Sequence, residues 1–104
     1  MAKNMKMTIA AKAKKDMLYK AILLLRTEEE CYNFFQDLCT FSELRAMEQR
    51  YEVATLLDTG MIYSDILNAT GASSATISRV NRALLNGTGG YELVIDRMRS
   101  EEKK

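Results

Sequence analysis

The sequence predicts an all-α fold, and three observations carry that prediction. The 104 residues contain no proline and only five glycines, so the two residues that most often break helices are scarce. Apolar residues recur at three- and four-residue spacing, as in Cys31, Phe34, Phe35 and Leu38, or Tyr91, Val94, Ile95 and Met98. No alternating pattern long enough for a strand interrupts them.

Residues 1–12, with three methionines and scattered lysines, show no periodicity and read as a basic, flexible arm. The helical domain is expected over residues 13–100. Its first helix is placed from Ala13 to Arg26, with Met17, Leu18, Ala21, Ile22, Leu24 and Leu25 as its apolar content. These wrap most of the way round the helix, so packing on one side alone would leave leucines in water. Thr27-Glu28-Glu29-Glu30 reads as a capping box, in which the Thr27 hydroxyl accepts from the Glu30 amide and Glu30 reaches back. Three acids in the first turn also suit the helix dipole. This second helix is expected to reach Cys39. Thr40-Phe41-Ser42-Glu43 repeats the signature and opens the longest helix, running to Asp58 with Gly60 as terminator. Leu44, Met47, Tyr51 and Ala54 form one stripe on it, and Val53, Leu56 and Leu57 another, which calls for two packing partners. A short helix follows from Ile62 to Thr70, and Gly71 ends it. Ser73 or Ser74 opens the next, to Asn86 before Gly87. Gly89-Gly90 breaks the chain before the final amphipathic helix, and residues 101–104 read as a charged tail.

Composition removes whole classes of chemistry. Without histidine there is no Ser-His-Asp or Cys-His catalysis, and two cysteines cannot build a four-ligand zinc site. Neither an enzyme, a metal site nor a cofactor is expected. Cys31 and Cys39, eight residues apart on one helix, lie about 12 Å apart at the standard rise and cannot bridge there. They read as buried small hydrophobes. The longest apolar run, Ala21 to Leu25, is too short to span a bilayer, and the basic start lacks a signal-peptide core. A cytoplasmic protein with no membrane partner is expected.

The net charge of +1 conceals an uneven distribution. Residues 1–26 carry seven basic side chains against Asp16 alone, and residues 27–58 carry eight acids against Arg45 and Arg50. Residues 59–86 are mildly basic, with Arg79 and Arg82 against Asp65. The basic arm suits either a solubilising tail or contact with nucleic acid.

Residues 63–84 carry the functional signal: short helix, glycine turn, small polar residues, second helix, the layout of a helix-turn-helix. Ile66, Ile77, Val80 and Leu84 fall where the two helices must pack. Ser74, Ala75, Ser78, Arg79 and Arg82 are left pointing outward, with Asn81 beside them. A helix enters the major groove only if its leading residues are small, and Ser73, Ser74, Ala75 and Thr76 all are. Their hydroxyls can bond phosphates or base edges, Ala75 can touch a thymine methyl, and Arg79 or Arg82 can pair with guanine or phosphate. The same two helices could instead form a plain αα-corner without a ligand.

Residues 34–98 resemble the Trp repressor superfamily, and more closely its YerC/YecD group. The residues that carry the resemblance are Phe34-Phe35-Gln36-Asp37-Leu38-Cys39-Thr40, Arg50-Tyr51-Glu52-Val53-Ala54, Thr70-Gly71-Ala72-Ser73-Ser74-Ala75-Thr76-Ile77-Ser78-Arg79-Val80 and Gly90-Tyr91. The resemblance implies six helices in an interlocked homodimer whose N-terminal helices cross between subunits. It also implies a bacterial DNA-binding transcriptional regulator, in the main a repressor, with double-stranded DNA and a second copy of itself as partners. Ser64, on the first helix of the motif, joins Ser73, Ser74, Ala75, Thr76, Ser78, Arg79 and Arg82 as an implied DNA-facing residue.

An effector pocket framed by Thr40, Arg50 and Arg79 is implied as well. Val80 stands where the family has a glycine that leaves room for an indole, and Ala83 where it has a serine. A branched side chain there should exclude an aromatic ring, so a tryptophan corepressor is not expected. Arg50 and Arg79 could equally make structural ion pairs or phosphate contacts. The loop after Gly60 is one residue shorter than in the repressor, and Ile62 sits where a capping hydroxyl is usual. Ser64 and Leu67 replace basic residues, which thins the phosphate-binding surface. The alternative function is a helical interaction or scaffold dimer that has lost strong DNA binding.

Overall fold

The structure, a computed structural model, describes residues 9–103. Among them are six helices and no strand: α1 (Ile9–Ile22), α2 (Glu28–Leu38), α3 (Phe41–Asp58), α4 (Tyr63–Thr70), α5 (Ser74–Asn86) and α6 (Gly90–Glu102). The chain divides into two compact units, Met1–Thr40 and Phe41–Lys104.

In the first unit, α1 begins and ends four residues earlier than its apolar pattern suggests. The run Ala10-Ala11-Lys12-Ala13 has high helix propensity and little periodicity, so a search for stripes passes over it. Beyond Ile22 the amides of Leu24 and Leu25 bond three residues back, to the carbonyls of Ala21 and Ile22, both at 3.1 Å. The last turn tightens and the helix stops. The next cap requires it to stop: Thr27 is extended (φ −133°, ψ 161°) while its side chain accepts from the Glu30 amide at 3.0 Å. Glu30 does reach back, but to the amide of Arg26 at 2.8 Å, one residue before the cap. Residues 1–8 of the basic arm lie outside the described residues. No described residue of this unit is buried. The expectation that Cys31 and Cys39 are buried is therefore corrected. Cys31 is exposed and Cys39 half-buried, because α2 has no buried face for them to join.

The second unit holds the core. Val53 and Ala54 from α3 meet Ile66 from α4, Ala72 from the turn, Ile77 and Val80 from α5, and Ile95 from α6. Tyr51, Leu56, Leu57, Met61 and Tyr91 pack around this cluster. Both α3 stripes thus feed one core through their C-terminal halves, while Met47 remains exposed. At the end of α3 the Met61 amide bonds Leu56 O (3.2 Å) and the Gly60 amide bonds Leu57 O (3.0 Å), the paired bonds of a Schellman motif. An Arg99–Asp58 ion pair ties α6 to the same end of α3.

Candidate nucleic-acid interface

The helix-turn-helix is built from short-range bonds that leave one face uncovered. Gly71 ends α4 in the left-handed region (φ 73°), and its amide bonds Leu67 O at 2.8 Å. An L side chain would be strained there, which is why the turn carries glycine. Ala72, almost fully buried, then anchors the turn in the core. Ser73 is the N-cap of α5: its hydroxyl accepts from the Thr76 amide and donates to Thr76 Oγ1, each at 3.1 Å. Ile77 and Val80, at 0% and 1% exposure, fix the inner side of α5.

With that side fixed, Ser74, Ala75, Ser78, Arg79 and Arg82 are all exposed. At 3.6 residues per turn, Ala75, Ser78, Arg79 and Arg82 share an arc of about 100°, and about 10 Å of axis separates the first from the last. Small residues lead and arginines trail. Among the described residues neither Arg79 nor Arg82 makes an ion pair, so both guanidinium groups keep their donors for a ligand. Ser64 is exposed on α4, and Ser73 is exposed beside its cap bond. Thr76 and Asn81 are half-buried, as is Leu84 on the packing side.

Sequence reasoning missed three residues here. Asn86 is exposed and extends the arginine stripe one turn further, a position that the spacing from Arg82 would have marked. Thr70 and Gln49 act inside the motif: Thr70 Oγ1 donates to Ile66 O (2.7 Å) and accepts from the Ala72 amide (3.1 Å). Gln49 Nε2, from α3, donates to Thr70 O at 3.3 Å. No local pattern marks a bond across 21 residues.

The residues implied for an effector pocket are distributed over both units. Arg50 is half-buried on α3, Arg79 is exposed on α5, and Thr40 belongs to the first unit. Val80 is part of the core cluster. A groove of about 580 Å³ lies between α3, α5 and α6, lined by Tyr51, Ala83, Gly87, Tyr91 and Val94 among others. Among the described residues no group of three or more acids and cysteines could hold a metal ion. No described helix is long and apolar enough to cross a membrane.

The fold and this face define an all-helical helix-turn-helix protein. The chain belongs to the Trp repressor family: the profile of the Trp repressor protein matches residues 13–99. The family consists of DNA-binding regulators, not enzymes. The uncharacterized protein YerC of Bacillus subtilis (strain 168) is 49% identical over 87 residues, covering 84% of each chain. A crystal structure of a candidate Trp repressor from Staphylococcus aureus superposes with a TM-score of 0.82 at 45% identity, covering 90% of this chain and 96% of that one. A TrpR-like protein of Eubacterium eligens gives a TM-score of 0.77 at 48% identity, covering 80% of this chain and 86% of that one.

Proposed function

We propose that the protein is a homodimeric, sequence-specific DNA-binding repressor of transcription that reads the major groove with α5. The observation that carries this reading is the exposed stripe Ala75-Ser78-Arg79-Arg82, held outward by the buried Ile77 and Val80. Small residues admit the helix start between the strands, and two unpaired arginines supply bidentate donors for guanine or phosphate. Ser64, Ser73, Ser74 and Thr76 border the same face with hydroxyls. The basic arm of residues 1–12, of which residues 9–12 belong to α1, adds charge that would follow the phosphate backbone. Within a cytoplasmic setting no cofactor is needed for this chemistry, and the branched Val80 argues against a tryptophan corepressor.

The dimer is supported by the first unit. Leu23 and Leu24 are 83% and 74% exposed in the single chain, alongside Met17, Tyr32 and Leu38. A helical unit with this much apolar surface and no buried residue is completed by a second copy. Selection from random-sequence duplexes should enrich one motif with two-fold symmetry. A reporter carrying that motif at its promoter should lose expression when the protein is present. Recovery of no motif would overturn the reading and leave the scaffold dimer.

A further inference from the structure

We infer that Gln49 and Thr70 are positioning residues that set the angle at which α5 is presented, and with it the ability to tell one DNA sequence from another. This rests on the DNA-reading role proposed for α5. The turn from Thr70 to Ser73 carries the whole geometric relation between α4 and α5. Its backbone is held by bonds that converge on Thr70. The Thr70 hydroxyl donates to Ile66 O, one helical turn back, and accepts from the Ala72 amide, two residues on. Its carbonyl accepts from Gln49 Nε2 on α3. Thr70 is half-buried, as is Gln49, so water replaces these partners poorly.

The carbonyl of Thr70 sits where the helix has run out of amides to serve it, since α4 ends there and Gly71 turns left-handed. Gln49 supplies the missing donor from the scaffold helix. The core beneath the motif is all aliphatic, Val53, Ile66, Ala72, Ile77 and Val80, and such contacts have no preferred direction. Hydrogen bonds do. The apolar cluster therefore holds α5 against α4, and the Gln49–Thr70 bonds choose the orientation. Gln49 Nε2 and the Thr70 hydroxyl are both bonded within the motif, so a loss of sequence discrimination on changing them acts through the turn.

The test uses the duplex that the wild-type protein selects from a random library, with a scrambled duplex of the same composition as reference. Gln49→Glu keeps the length and puts an acceptor against Thr70 O. Thr70→Val keeps the shape and removes the hydroxyl. Thr70→Ser restores the hydroxyl. The ratio of affinities for selected over scrambled duplex should fall about tenfold in Gln49→Glu and in Thr70→Val. In Thr70→Ser it should stay within about twofold of wild type. Affinity for the scrambled duplex and the salt slope should stay unchanged in the two Thr70 variants, because the arginines remain in place and no charge is added. Equal losses on both duplexes, tracking a lowered melting temperature, would mean a general structural role and overturn the inference. Unchanged discrimination in Gln49→Glu and Thr70→Val would overturn it as well. A wild-type protein that selects no sequence would instead refute the DNA reading and take this role with it.

Discussion

At the scale of single residues, Val80 and Arg82 show how neighbours on one helix answer to different physics. Val80 is 1% exposed among Val53, Ile66 and Ile77, so its side chain acts in the core. Val80→Gly removes that burial and puts the poorest non-proline helix former inside α5, together about 3 kcal/mol. A fall in melting temperature of more than about 10 °C is expected. Calorimetric titration of the wild type with L-tryptophan should show no heat of specific binding, and micromolar affinity would refute the exclusion argument. Arg82 is exposed and unpaired among the described residues, so Arg82→Ala should leave the fold intact. If it holds a phosphate, all sequences weaken about equally and the salt slope falls by roughly one unit. Ala75→Glu, at the leading end of the stripe, should abolish specific binding through bulk and charge while circular dichroism is unchanged. Both roles were legible from spacing, because positions 77 and 80 alternate with 75, 78, 79 and 82 at helical period. Gln49 was not legible, because its partner lies 21 residues away and chain spacing says nothing of such a pair.

Among the elements, the helix ends marked by local hydrogen-bond chemistry were read closely, and the bounds of α1 were not. Thr27, Gly71 and Ser73 mark their helix ends by hydrogen-bond chemistry that is local in the chain, and α2, α4 and α5 begin or end beside them. The start of α1 has only alanine and lysine propensity to define it, and its end is set by what the Thr27 cap requires. Ser73 offers a separation of folding from recognition at one position. Ser73→Ala should cost about 1 kcal/mol of stability through loss of the cap, read by chemical denaturation. Ser73→Asp keeps a cap acceptor and suits the helix dipole, so stability should return. DNA affinity should nevertheless fall, since the new charge stands beside the leading face of α5. The two glycines flanking α5 should also respond differently to alanine. At Gly71 nothing lies within 4 Å of an added Cβ, so Gly71→Ala meets only the left-handed backbone penalty, roughly 1–2 kcal/mol. At Gly87 the added Cβ would lie 2.3 Å from the carbonyl oxygen of Ala83, so Gly87→Ala must shift the end of α5. Denaturation midpoints and the amide spectrum of residues 83–90 would distinguish a penalty without movement from one with it.

For the molecule as a whole, the two units differ in what they can bury alone. Residues 41–104 enclose seven clustered core residues from four helices and the turn between α4 and α5. Residues 1–40 enclose none among those described, yet they contain the apolar run Ala21 to Leu25. The all-round apolar character of that first helix was visible in the sequence, but which surface covers it was not, because a single chain's pattern cannot say whether its partner is itself or a copy. Leu23 and Leu24 decide the matter experimentally. At 83% and 74% exposure in the single chain, they have little packing to lose within a monomer. The double variant Leu23→Glu, Leu24→Glu should therefore leave the second unit folded while placing two charges in any apolar seam between subunits, where unpaired burial is prohibitive. Sedimentation of the wild type at micromolar concentration should report about twice the chain mass of 11.8 kDa, and the double variant about one. A dimer reads two half-sites at once, so the variant should lose most of its affinity for a two-fold symmetric duplex and much less for a single half-site. A wild-type protein that sediments as a folded monomer, or a double variant that remains dimeric, would place the subunit contact elsewhere and separate the exposed leucines from assembly.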